Sequence, residues 1–187
     1  MFKNDKTIPY NLGLMIINWS SVSFFFYLLN FFVKYMPGDI FINSIVSGIS
    51  CFTMLLQGPL QKRFSSKFGL ILSFGMGLVS ALLVCLFDSD TKQIVLYSLV
   101  LLLAKGGAEL AFGFVTLIHL ELFPTSFIVT SYGICNIVCR MVTMSAPIVA
   151  EIPNVAIPIA FMIGTNAAGL VSSIVLKTKR IEINDPK

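Results

Sequence analysis

Residues 120–147 read LELFPTSFIVTSYGICNIVCRMVTMSAP. Between Pro124 and Glu151 the only charged residue is Arg140. A guanidinium keeps its proton under ordinary conditions. At the centre of a bilayer it costs about 2.5–3.5 kcal/mol on insertion scales. The stretch is therefore either a soluble helix with an unusually bare surface or a membrane span with a charge set in it for a reason.

Composition decides between the two. The 187 residues are 56% hydrophobic and 12% charged, against about 25% charged in an ordinary soluble domain. A soluble core of this length needs a charged surface that the chain does not have. Six apolar segments follow one another, roughly Leu12–Val33, Ile40–Leu60, Leu70–Phe87, Ile94–Ile118, Phe127–Ala150 and Ala156–Leu176. Each is near the length that spans a hydrocarbon core, the third being short. The expected class is an all-α membrane protein with six transmembrane helices at 10–177, between an N-terminal segment at 1–9 and a polar tail at 178–187. The first apolar run is too long for the h-region of a signal peptide and no small-residue cleavage site follows it, so it reads as a retained helix.

The charges give an orientation. With both termini inside, the inner segments hold nine Lys and Arg and the outer loops hold two, Lys34 and Lys92. That bias predicts cytosolic termini. The net charge of +4 then belongs mostly to an inner rim facing anionic headgroups, and no nucleic-acid partner is needed. Turns are expected at 34–39, 61–69, 88–93 and 151–155, where Gly, Pro and polar residues gather. The four cysteines, at 51, 85, 135 and 139, form no CxxC pair and read as packing residues. With one histidine, His119, no metal site is expected, and His119 reads as a polar residue at headgroup level.

Charges inside the spans are candidate functional positions. Lys105 and Glu109 are one helical turn apart on one face. They read either as an internal ion pair or as a pair in which Lys105 faces a water-filled path. Arg140 has Asn136, Ile137, Thr143 and Met144 at the i±3 and i±4 positions and no acid among them. Its partner must come from another helix, from water or from a ligand. Trp19 and Phe24 to Tyr27 make an aromatic block within the first span, suited either to packing or to the wall of an organic-ligand site. No GxSxG, HExxH, Walker A or glycine-rich nucleotide motif occurs, so neither enzymatic activity nor a cofactor is expected.

The stretch AKGGAELAFGFVTLIHLELFPT at 104–125, followed by YGICNIVCRMVTMSAP at 132–147, resembles the organic ion transporter branch of the major facilitator superfamily. Lys105 and Phe112 match its GK-x(6)-F motif. Glu121, Leu122, Phe123, Pro124 and Thr125 match its E-L-[FY]-P-T, and Gly133, Arg140, Ala146 and Pro147 follow in register. Trp19, Phe26 and Tyr27 are similar to the family's seventh helix. The resemblance covers nearly the whole chain and implies the C-terminal half of a carrier, helices seven to twelve, in which helices seven, eight, ten and eleven surround the substrate.

The implied activity is secondary transport of small organic ions, anions in particular, across the plasma membrane. Arg140, Lys105, Phe26, Tyr27 and Trp19 would bind substrate, and Glu121, Pro124, Arg63 and Glu109 would serve the gating motifs. A complete path would need an N-terminal six-helix half or a second copy as partner. The chain departs from the family pattern at Ile128, Ser131, Met54 and the turn at 62–67. The alternative function is therefore a non-transporting membrane subunit derived from such a carrier.

Overall fold

The computed structural model describes residues 7–35, 39–86 and 94–177. The expected turn at 88–93, the start of the N-terminal segment and the tail at 178–187 lie outside the described residues, as do positions 36–38 of the first turn. Among the described residues eight α-helices follow in order: α1 (Thr7–Phe32), α2 (Ile40–Ile49), α3 (Gln57–Arg63), α4 (Ser66–Leu86), α5 (Ile94–Leu122), α6 (Thr125–Thr143), α7 (Ala146–Ala150) and α8 (Ala156–Val175). No strand occurs among the described residues. Among the described residues six helical stretches are long and apolar enough to cross a membrane. The chain is read as a multi-pass membrane protein on that ground.

Two expected spans are broken, and proline sits at each break. In the second span, α2 passes into a 3-10 segment, Ser50–Leu56, before α3. Pro59 has no N–H to return to the preceding turn. The tighter winding also carries Thr53 toward α5, where its Oγ1 reaches the Gly106 carbonyl at 3.3 Å. In the fifth span, Pro147 stands just after the turn at Met144 and Ser145 that separates α6 from α7. The third span is longer than expected, starting at Ser66. The first also starts early, at Thr7.

The first helix is the axis of the bundle, packing on α5, α6, α7 and α8. Being surrounded, it needs apolar residues on every side rather than along one stripe. Two clusters make the core. In one, Phe24, Phe25, Leu28 and Leu29 meet Ala104, Ala108, Ala146 and Met162. In the other, Met15, Trp19 and Val22 meet Phe74, Phe114, Ile118, Cys135 and Cys139. The second span is the least enclosed. It lies against α5 and leaves Phe41, Ile45, Phe52 and Leu55 exposed.

Polar clasps fix the ends. Lys67, on the first turn of α4, donates to the carbonyls of Ile174 and Leu176, both at 2.8 Å. This satisfies acceptors left open at the end of α8. Asn11 donates to the Lys177 carbonyl at 3.0 Å and accepts from the Lys177 amide at 3.3 Å. At the opposite end Glu151, just past α7, receives Lys34 as an ion pair and the Tyr35 hydroxyl at 2.5 Å. The Lys34 ammonium first, and the Tyr35 hydroxyl next, hold the exposed Glu151 carboxyl below the ordinary carboxylate range.

Candidate functional site

A cavity of about 530 Å³ opens between α1, the second span, α5 and α6. Helical spacing puts its lining residues in register. From α5 come Glu109, Phe112, Gly113, Thr116 and Leu117; from α6 come Tyr132, Asn136 and Arg140; from α1 come Trp19, Phe26 and Tyr27; and Met54 and Gln57 close the remaining wall. Within each set residues stand three, four or seven apart, the spacing of one helix face.

The expected substrate-binding residues divide. Arg140, Tyr27, Phe26 and Trp19 all line the cavity, and so does Glu109, expected instead to serve a gating motif. Lys105 does not line it. Only 2% exposed, it donates to the Asn30 side chain and lies 4.6 Å from the centre of the Phe26 ring. Of the two readings for Lys105 and Glu109, the ion pair does not form: among the described residues the only ion pair joins Lys34 to Glu151. Asn30, one turn beyond Phe26 on α1, captures the ammonium from the side, and Glu109 turns toward Cys51, whose Sγ lies 3.6 Å from Oε1.

Arg140 reaches across from α6 to α1. Its guanidinium donates to the Tyr27 hydroxyl at 2.8 Å and sits 5.7 Å from the centre of that ring. From Tyr27 a ladder of edge-to-face aromatics runs along the wall. Tyr27 meets Phe26 at 5.6 Å, Phe26 meets Phe112 at 5.3 Å, Phe112 meets Trp19 at 6.4 Å, and Trp19 meets Tyr132 at 5.1 Å between ring centres. Such pairs hold one another rigid and present flat apolar surface to an occupant. Phe24 and Phe25, from the same sequence block, are core residues instead.

The chain matches no protein-family model and no curated protein sequence. The chemistry of the cavity therefore carries the functional reading. It holds one guanidinium, one carboxylate, the amides of Gln57 and Asn136, and an aromatic wall. That set can bind a small organic ion by charge at one point and by apolar contact along its body.

The remaining motif residues have positions outside the cavity. Glu121, at the end of α5, accepts from Ser66 Oγ at 2.5 Å and ties α5 to the start of α4. Pro124 is the extended residue before α6, with its carbonyl accepting from Phe127 and Ile128 at 2.8 and 3.0 Å. Arg63 is exposed at the end of α3. His119 is fully buried among side chains. Its Nε2 lies 2.9 Å from Ser131 Oγ, and its ring packs between Phe123 and Tyr132. Tyr132, Gln57 and Asn136 are site residues that the sequence did not single out. For Tyr132 and Asn136 the signal was the spacing of four from Tyr132 through Asn136 to Arg140; Gln57, on another span, carried none.

Proposed function

We propose that the chain is half of a major-facilitator-type carrier for small organic ions, with Arg140 anchoring the anionic group of the ligand. The observation that carries this reading is the arginine itself: a charge inside a span, facing a cavity, bound only to a neutral hydroxyl. A guanidinium so placed can offer charge-assisted, two-pronged contacts to a carboxylate. The aromatic ladder would hold the apolar body of the same molecule. The four spans around the cavity are the first, second, fourth and fifth. Their chain order is that of helices seven, eight, ten and eleven, which surround the substrate in the family that the sequence resembles, and this supports the reading.

Alternating access needs two bundles rocking about a site between them. The cavity's open side is the surface for the other half, an N-terminal six-helix bundle or a second copy. Cytosolic termini and the plasma membrane complete the reading. The test is uptake of a labelled aromatic carboxylate by cells expressing wild type or Arg140→Ala, with the partner half supplied. Arg140→Ala is expected to abolish uptake, and equal uptake by both would remove Arg140 from the mechanism.

The exposed apolar face of the second span favours a second reading, a non-transporting subunit buried against other membrane proteins. Native mass measurement in mild detergent separates the two. Pairing with a six-helix half supports the carrier, and a stable assembly with unrelated subunits supports the subunit.

A further inference from the structure

A second cavity, of about 600 Å³, lies between α1, α6 and α8. The helices α6 and α8 each pack on α1 and have little contact with one another, so a groove is left along α1 between them. Ser20 and Phe24 of α1, Val138 and Val142 of α6, and Ala160 and Gly164 of α8 line it. The small residues of α8 keep it open: a Cβ on Gly164 would meet nothing within 4 Å. Val138 stands about half a turn around α6 from Asn136 and Arg140. The groove and the organic-ion cavity therefore lie on opposite faces of that helix, and α8 lines only the groove. No charged side chain lines it. Its hydroxyls are not offered to an occupant. Thr165 donates to the Phe161 carbonyl of its own helix at 2.9 Å, and Ser21 is buried. The Ser20 oxygen is enclosed and without a partner among the described residues; a helical serine can return its proton to the carbonyl four residues back.

We propose that this groove is a lipid site that seats one acyl chain of a membrane lipid. Its rim is continuous with the surface that the spans turn to the bilayer: Ile17, Val142 and Phe161 line the groove and are 43%, 40% and 46% exposed. Ile17 to Phe24 fall at the middle of α1, so the medium at the mouth is hydrocarbon. Water would find no hydrogen-bond partners there. A charged or strongly polar ligand would lose its solvation and gain nothing in return. Lipid tails are as apolar as the walls, so the preference for a seated chain comes from packing. Walls that face a void forfeit dispersion contacts, and a chain laid along the groove restores them. The seated chain braces α6 against α1 and α8 directly behind Arg140. The proposal concerns the opposite face of α6 from the organic-ion cavity and stands whatever that cavity takes.

The experiment places the full chain in nanodiscs that contain a phosphatidylcholine with a diazirine midway along one acyl chain. After irradiation and digestion, mass spectrometry reads where the lipid has attached. Labelling at Val138, Val142, Phe161 and Gly164 is expected to exceed that at Phe52 and Leu55, on the exposed face of the second span, by about tenfold, the preference that about ten van der Waals contacts supply. Gly164→Phe fills the groove and is expected to remove that excess at Val138 and Val142 without lowering the melting temperature. Ala160→Leu is a second filling variant with the same expectation. Even labelling of the groove and the second span in wild type overturns the proposal, since the groove then holds only passing lipid. If α6 and α8 stay unlabelled and native mass measurement finds two copies, a second copy covers the groove and the proposal also fails. The wild-type pattern alone decides, whether or not either variant folds.

Discussion

The Arg140 guanidinium and the Tyr27 hydroxyl are 2.8 Å apart, donor on α6 and acceptor on α1. The contact positions a charge without cancelling it, since a neutral phenol leaves the full positive charge available. Removing the hydroxyl should therefore loosen the guanidinium and keep its charge. A hydrogen bond to a charged group contributes about 1.5–3 kcal/mol. Tyr27→Phe is thus expected to weaken binding of 4-methylbenzoate about tenfold or more, read by Trp19 fluorescence. Arg140→Lys should be worse, because it keeps the charge and loses the two-pronged fork. Undiminished affinity in Tyr27→Phe would show that the hydroxyl does not orient Arg140.

The glycines of α5 and α6 give opposite expectations. A Cβ on Gly107 would lie 3.1 Å from the Ser73 carbonyl and 3.2 Å from the Gly77 amide. These are backbone atoms of α4 and cannot give way cheaply. Gly107→Ala should destabilise by about 1–3 kcal/mol through overpacking. Gly133 has nothing within 4 Å of its would-be Cβ, and alanine is the better helix former by roughly 0.5–1 kcal/mol. Gly133→Ala should be neutral or mildly stabilising. Melting temperatures in one detergent test the order, and a Gly107→Ala protein as stable as Gly133→Ala would contradict the close α4–α5 contact.

The all-helical class and the number of spans were legible because apolar runs of spanning length dominate any other pattern. Arg140 was legible as a residue facing a cavity for a local reason: no acid stands within a turn of it. What the sequence could not show was which charge faces which neighbour. Lys105 and Glu109 have ideal pair spacing, yet Asn30 from another helix takes the ammonium. The 3-10 segment at Ser50–Leu56 was equally hidden, and so was the contact it makes through Thr53 with Gly106, some fifty residues on. Lys34 and Glu151 are 117 positions apart, and only the packing of α1 on α7 brings them together. The burial of His119 was hidden for the same reason, because its place at the end of an apolar run does not reveal that α6 covers it.

The His119–Ser131 contact is asymmetric in a testable way. Ser131 Oγ donates its proton to the Ile128 carbonyl at 2.9 Å, so at His119 it accepts, and Nε2 carries the hydrogen. Ser131→Ala strands that buried donor and should cost about 1–3 kcal/mol. Adding His119→Leu removes the stranded group, so the double variant should lose less than the sum of the two single changes. Strict additivity in thermal stability would mean the two side chains do not interact.

At the other end of the bundle the Glu151 contact predicts a pH effect with a definite sign. Lys34 and Tyr35 hold its carboxyl below the ordinary range, so the folded state binds a proton there less readily than the unfolded chain. The contribution is fully present above the ordinary carboxylate value, about 4.3 for glutamate. It is lost as pH falls through the lower folded-state value. Glu151 and Lys34 are both well exposed, so solvent screens the pair and the effect is small. Wild type should melt slightly above Glu151→Gln near neutral pH, and the gap should close in acid and shrink in high salt. A gap that persists in acid would mean that packing of the side chain, rather than the ionised contact with Lys34, joins the end of α1 to the end of α7.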